Sequence, residues 1–138
     1  MSMFTVYGEP QGKARARTVR SGGKVHSFTP QKTADYEELV RRAWLASGET
    51  GYFNKTPIAV KILAYFQIPK SVSKKKREEM LDDFVRPTKK PDADNIAKII
   101  CDGLNGIAYG DDAQVVDLEV TKYWTDGDAR VEVTLWEV

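Results

Sequence analysis

A chain of 138 residues with 41% hydrophobic side chains has the size of one domain and can bury one core without covalent staples. A single cysteine, Cys101, excludes an intramolecular disulfide and metal sites built on cysteine pairs, and a single histidine, His26, excludes a multi-histidine site. The net charge of +1 conceals a division: residues 1–69 carry 10 basic and 5 acidic side chains, residues 70–91 carry 8 and 4, and residues 92–138 carry 3 and 11. Between Pro10 and Lys32 six basic residues occur with no acidic one. No apolar run is long enough to span a bilayer, and the first residues lack the basic and apolar regions of a signal peptide. The expectation is a cytoplasmic single domain over residues 1–138 with no membrane partner.

Met3–Tyr7 is a β-branched and aromatic run stopped by Gly8 and Pro10, and it predicts a strand. Gln11–Phe28 is glycine- and charge-rich with little periodicity, and it reads as a connection that is mobile until it meets a partner. Thr29-Pro30 predicts a helix start, with threonine as the cap and proline at the first helical position. That helix runs to about Ser47–Gly48, with Tyr36, Leu39, Val40, Ala43 and Trp44 on one face. Pro57–Ile68 predicts a long strand in which Ile58, Val60, Ile62, Ala64 and Phe66 alternate with other residues. Ser73 followed by Lys74–Leu81 predicts a short basic helix, and Val85–Pro91 a proline-broken loop.

Asp94 is placed to cap a further helix reaching about Leu104, with Ile96, Ile99 and Ile100 on its apolar face and Asn105-Gly106 at its end. Gln114–Trp124 alternates, with Val116, Leu118 and Val120 on one side. Asp126-Gly127 is a hairpin turn signal, and Arg130–Val138 is the partner strand, with Val131, Val133 and Leu135 inward. The order β-α-β-α-α-β-β predicts an α+β domain whose helices pack on a small mixed or largely antiparallel sheet ending in a hairpin.

The informative stretch is Lys90-Pro91-Asp92-Ala93-Asp94-Asn95-Ile96-Ala97-Lys98, then Asp102, then Asp111-Asp112. Asp92 and Asp94, two residues apart in an extended approach to a helix, point their carboxylates the same way. Lys98 lies one turn beyond Asp94 and Asp102 one turn beyond Lys98. The Gly110 turn can return Asp111-Asp112 toward this line. Clustered carboxylates repel unless a cation neutralises them, and Mg2+ suits an all-oxygen donor set that shares phosphate oxygens. Other readings fail on detail. An EF-hand loop starting at Asp92 needs Gly sixth and Glu twelfth, where Ala97 and Gly103 stand. A phosphate loop at Gly8…Gly12-Lys13 is one residue short and carries Ala14 in place of Ser or Thr. Cys101, on the apolar side of its helix, reads as a core residue, and Trp44, Trp124 and Trp136 read as packing aromatics.

The run from Pro91 to Gly106, followed by Tyr109-Gly110-Asp111-Asp112-Ala113-Gln114-Val115-Val116, resembles the RusA family of Holliday junction resolvases. Gly12-Lys13-Ala14-Arg15-Ala16-Arg17 and the Thr29-Pro30…Tyr36 helix start are similar to members carried by phages and prophages. The resemblance implies a small homodimeric, Mg2+-dependent endonuclease that cuts four-way DNA junctions by paired symmetrical incisions. It implies metal ligands at Asp92, Asp94 and, of the Asp111-Asp112 pair, Asp112. It implies an essential lysine at Lys98, which either stabilises the charged phosphate or orients the attacking water. Some members carry a long basic run directly before the first aspartate; here Pro91 interrupts it after Lys89 and Lys90.

The expected function is therefore Mg2+-dependent phosphodiester hydrolysis at branched DNA, with Asp92, Asp94, Lys98 and Asp112 as the catalytic set. DNA backbones are expected along Lys13, Arg15 and Arg17, along Lys74, Lys75, Lys76 and Arg77, and at Lys89 and Lys90. The alternative is a non-catalytic module that binds branched or single-stranded DNA and uses the acidic cluster structurally. Two matched cuts require two sites, so a two-fold homodimer is expected, in contact through the outer faces of the last two strands or the Thr29–Ser47 helix.

Overall fold

The computed structural model describes residues 1–49 and 51–138. Its elements are β1 (Ser2–Tyr7), β2 (Arg17–Ser21), β3 (Lys24–Phe28), α1 (Gln31–Ala46), β4 (Ile58–Gln67), α2 (Lys74–Leu81), α3 (Ala93–Leu104), a single 3-10 turn (Asp112–Gln114), β5 (Val115–Thr125) and β6 (Arg130–Glu137). Four strands form one sheet in the order β1-β6-β4-β5. The β1–β6 and β6–β4 pairs are antiparallel, and β4–β5 is parallel. α1 and α3 pack on one face of this sheet. Tyr36, Val40 and Trp44 from α1 and Ile96, Ile99, Ile100 and Leu104 from α3 meet Phe4, Val6, Ile58, Val60, Ile62, Val131, Val133 and Leu135 from the strands. Among the described residues no helix is long and apolar enough to cross a membrane.

The α+β class, the mixed sheet and the packed helices agree with the sequence pattern, and local details differ. The last two strands run antiparallel, but β4 lies between them, so they share no ladder and the Asp126-Gly127 turn spans a strand's width. Gln11–Phe28 is not featureless: β2 and β3 pair from Arg17↔Phe28 to Ser21↔Lys24. β3 is exposed along its whole length, so no alternation marks it in the sequence. Helix α1 opens one residue later than expected. The Pro30 carbonyl accepts from the Thr33 and Ala34 N–H groups, which puts Pro30 at the cap position and Thr29 outside the helix. In α3 the cap position belongs to Asp92, whose carbonyl accepts the Ile96 N–H at 3.0 Å; Asp94 sits in the first turn.

The face of α1 is narrower than its sequence suggests, since Leu39 is exposed while Thr33 is buried. A register shift between Ile58 and Ala59 pairs them with Val115 and Asp117. Val116 is thus the extra residue of a bulge, and the alternation that would have turned it inward is broken. Val116 and Leu118 remain exposed on β5, the edge strand. Helices α1 and α3 approach closely at Gly103, where an added Cβ would lie 3.0 Å from the Cβ of Val40. Arg41 Nε donates to the Gly103 carbonyl at 3.0 Å and so satisfies an otherwise open C-terminal acceptor of α3.

Candidate active site

Helix α3 is strongly amphipathic. Its apolar side is driven into the core by Ile96, Ile99, Ile100 and Leu104, which leaves Asp94, Lys98 and Asp102 along its outer side at one-turn intervals. The 3-10 turn brings Asp112 to this line. Asp94, Lys98 and Asp112 line one depression with Ala97, Cys101, Val115, Val116 and Leu118. Lys98 Nζ lies 3.3 Å from Asp102 Oδ1 and 3.8 Å from Asp112 Oδ2. Its pKa is raised, first by the hydrogen bond to Asp102. Asp92 is set apart, lining a neighbouring depression with Lys32, Lys89, Lys90 and Asn95.

The two aspartates of the turn have different duties. Asp111 accepts the Ala113 N–H at 3.1 Å, and this bond holds its carboxyl below the ordinary value. Asp112 is pushed up, first by partial burial and then by the adjoining Asp111 carboxyl, against the pull of Lys98. Gln114 fixes the turn. Its Oε1 accepts from Gly110 N at 3.0 Å and Asp111 N at 3.1 Å, and its Nε2 donates to the carbonyls of Phe53 and Thr56 at 2.9 and 3.1 Å. Gln114→Ala is expected to lower stability by about 2 kcal/mol, because net hydrogen-bond contributions are about 1 kcal/mol each and two of these donors face solvent. Urea denaturation checks it; an unchanged midpoint would show that the turn holds without its anchor.

The loop before Asp92 is held by Lys122, on the helix-facing side of β5 where the alternation calls for an apolar residue. Its Nζ donates to the carbonyls of Lys89 and Pro91 at 2.6 and 3.0 Å and lies 5.3 Å from the Phe66 ring centroid. Burial lowers its pKa, with Lys89 adding to that and Asp92 opposing it. Arg86 in turn donates twice to the Lys122 carbonyl, at 2.9 and 2.7 Å, and stacks 4.2 Å over Tyr123. Sequence reasoning assigned no role to Lys122 and none to Gln114 beyond its place in the Asp111-Asp112-x-Gln spacing. A lysine inside an apolar alternation is the one signal that marks Lys122.

Of the expected DNA contacts, Arg15, Lys74, Lys75, Lys76, Lys89 and Lys90 are exposed and Arg77 is half-buried. The side chain of Arg17 lies outside the described residues. Lys74–Lys76 crowd the first turn of α2, where the positive end of the helix dipole disfavours cations unless an anion is near. Lys13 differs from the rest: it is turned inward and paired with Glu37 and Asp102. Cys101 is a core residue, its thiol pushed up to about 11, chiefly by burial.

Among the described residues no three His, Cys, Asp or Glu side chains form a ready-made metal cage. The donor chemistry still suits Mg2+, which keeps several waters and needs only one or two carboxylates when phosphate oxygens complete its shell. Asp92 makes no side-chain capping bond, which leaves its oxygens open, and Asp94 and Asp112 share one exposed edge.

A family model described as endodeoxyribonuclease RusA matches residues 7–136. The uncharacterized protein YqaN of Bacillus subtilis (strain 168) is 43% identical over 138 residues, which cover 98% of this chain and 95% of that protein. With nearly its whole length matched, and with the acidic helix edge inside the match, the chain belongs to the RusA family of endodeoxyribonucleases.

Proposed function

We propose that the protein is a Mg2+-dependent endonuclease that resolves four-way DNA junctions as a two-fold homodimer. The observation that carries this reading is the meeting of Asp94, Lys98 and Asp112 in one open depression beside α3. Asp92, Asp94 and Asp112 would hold the cation, which when bound supplies a Lewis acid for the phosphoryl oxygens. Lys98 faces the same depression, where its ammonium neutralises charge gathering on the scissile phosphate or orients the attacking water. Asp111 stays out of this chemistry because its carboxylate is committed to the turn. The exposed lysines of α2, with Lys89, Lys90, Arg15 and Arg17, track the DNA backbone without reading bases.

Two matched incisions require two acidic edges, and an isologous pair of chains supplies the second by symmetry. The test is a strand-labelled four-way junction incubated with and without Mg2+, with sedimentation at micromolar protein. Symmetry-related nicks that need Mg2+, and a dimeric mass, are expected. Binding without nicking would identify a non-catalytic junction-binding module, and a monomeric mass with junction present would remove the dimer.

A further inference from the structure

Lys13 opens the basic run, and by composition it belongs with the residues that meet phosphate. Its surroundings differ from theirs. Its ammonium lies 3.0 Å from Glu37 Oε2, and its side chain is 23% exposed. The other oxygen pair is with Asp102 Oδ2 at 3.2 Å. Partial burial depresses its pKa, but the hydrogen bonds to Glu37 and Asp102 outweigh that and leave it raised. The backbone is fixed too. Lys13 N donates to the Asn95 carbonyl at 2.9 Å, and Ala14 N donates to Thr33 Oγ1 at 3.3 Å. Gly12 lies so close to the start of α3 that an added Cβ would come 2.7 Å from Pro91 Cβ and 3.0 Å from Asn95 Cβ, so no larger residue fits without a shift.

Asp102 is shared. One oxygen meets Lys13, the other meets Lys98 at 3.3 Å, and Lys98 reaches Asp112 at 3.8 Å. The result is a row of alternating charge: Glu37, Lys13, Asp102, Lys98, Asp112. Asp102 is only 17% exposed, so water screens its charge weakly, whereas Lys98 is 57% exposed and free to move.

We propose that Lys13 is a positioning residue for Lys98. By neutralising Asp102 it lets that carboxylate steady the Lys98 ammonium without capturing it, so that Lys98 stays turned toward Asp112 and an incoming phosphate oxygen. The inference rests on the proposed nuclease function and deepens it. Without Lys13 the whole attraction of Asp102 falls on Lys98, and the longer contact to Asp112 is the one that gives way.

The test is a double-mutant cycle at saturating junction and Mg2+. Lys13→Met is expected to lower kcat about tenfold, within the range of coupling between contacting charged residues. In the Asp102→Asn background the same substitution is expected to cost nothing, and Lys13→Arg is expected to retain most activity. Equal loss in both backgrounds would overturn the proposal. Should thermal melting show Lys13→Met unfolded, Lys13→Gln replaces it in the cycle. A second arm measures junction affinity against salt without Mg2+. The slope of log affinity against log salt should match wild type, whereas loss of a phosphate contact would flatten it by about 0.9. Flattening would make Lys13 a DNA contact and overturn the positioning role. Wild-type protein that binds but never cuts would refute the nuclease function itself, which the affinity arm separates from the question of Lys13.

Discussion

Asp94→Asn and Asp112→Asn proteins are expected to bind a four-way junction at least as tightly as wild type and to cut it at least about a hundredfold more slowly, the order of loss when one group that stabilises transition-state charge is removed. Asparagine keeps the size of the side chain and one carbonyl oxygen but removes the negative charge that a hard, strongly hydrated cation requires. Neither change should harm the fold. Asp94 lies in the first turn of α3 and leaves the cap residue Asp92 untouched, and Asp112→Asn relieves its contact with the Asp111 carboxyl. Affinity should hold or rise, because each substitution removes repulsion between the acidic edge and DNA. Asp111→Asn is expected to be mild, since an asparagine oxygen can still accept the Ala113 N–H. Anisotropy titration followed by cleavage at saturating Mg2+ separates binding from chemistry. Wild-type rates for both Asp94→Asn and Asp112→Asn would leave these carboxylates as parts of a helix start and a turn.

Ile99→Ala is expected to produce the largest loss of stability, about 2–5 kcal/mol, the cost of deleting a large aliphatic side chain from a tight core. Ile99 has 0% exposure and belongs to the cluster joining α1, α3 and the sheet. For a domain of this size the melting temperature should fall by about 10 °C. The same helix presents Asp94, Lys98 and Asp102 on its other side, so looser packing blurs the spacing of the acidic edge as well. Calorimetry with and without Mg2+ checks the effect. A fall of less than about 3 °C would mean that α3 relaxes into the space and is not held by packing at that point.

Helix α3 was legible because its isoleucines repeat at helical spacing, which fixes at once the buried side and the outward line of Asp94, Lys98 and Asp102. The neighbour of each strand was not. β5 and β6 have the same alternation whether they pair with each other or flank a third strand, because the turn between them reports chain reversal and not what lies in the gap. The β2–β3 ribbon is hidden in the sequence for a different reason: with β3 exposed throughout, no burial pattern selects one side of it. At the site, residue types marked the carboxylates and Lys98, while the groups that orient them were hidden. Gln114 and Lys122 act through backbone carbonyls and N–H groups, which leave no complementary residue to find in the sequence. The inward turn of Lys13 depends on Glu37 and Asp102, far from it along the chain and brought together by the packing of α1 on α3.

The placement of β6 has a bearing on synthesis. It follows the other described strands in chain order, yet it lies between β1 and β4 and pairs with both. Until it arrives, β1 and β4 face each other across a gap one strand wide, each offering an unpaired backbone edge of the kind that recruits other chains. A nascent chain halted before Arg130 already contains every aspartate of the acidic edge and the paired β4 and β5, but β1 is not joined to them. Closing the sheet therefore joins segments of high sequence separation, and it should be slow beside the assembly of a helical domain of equal length. A fragment released early would leave the edges of β1 and β4 open to other chains.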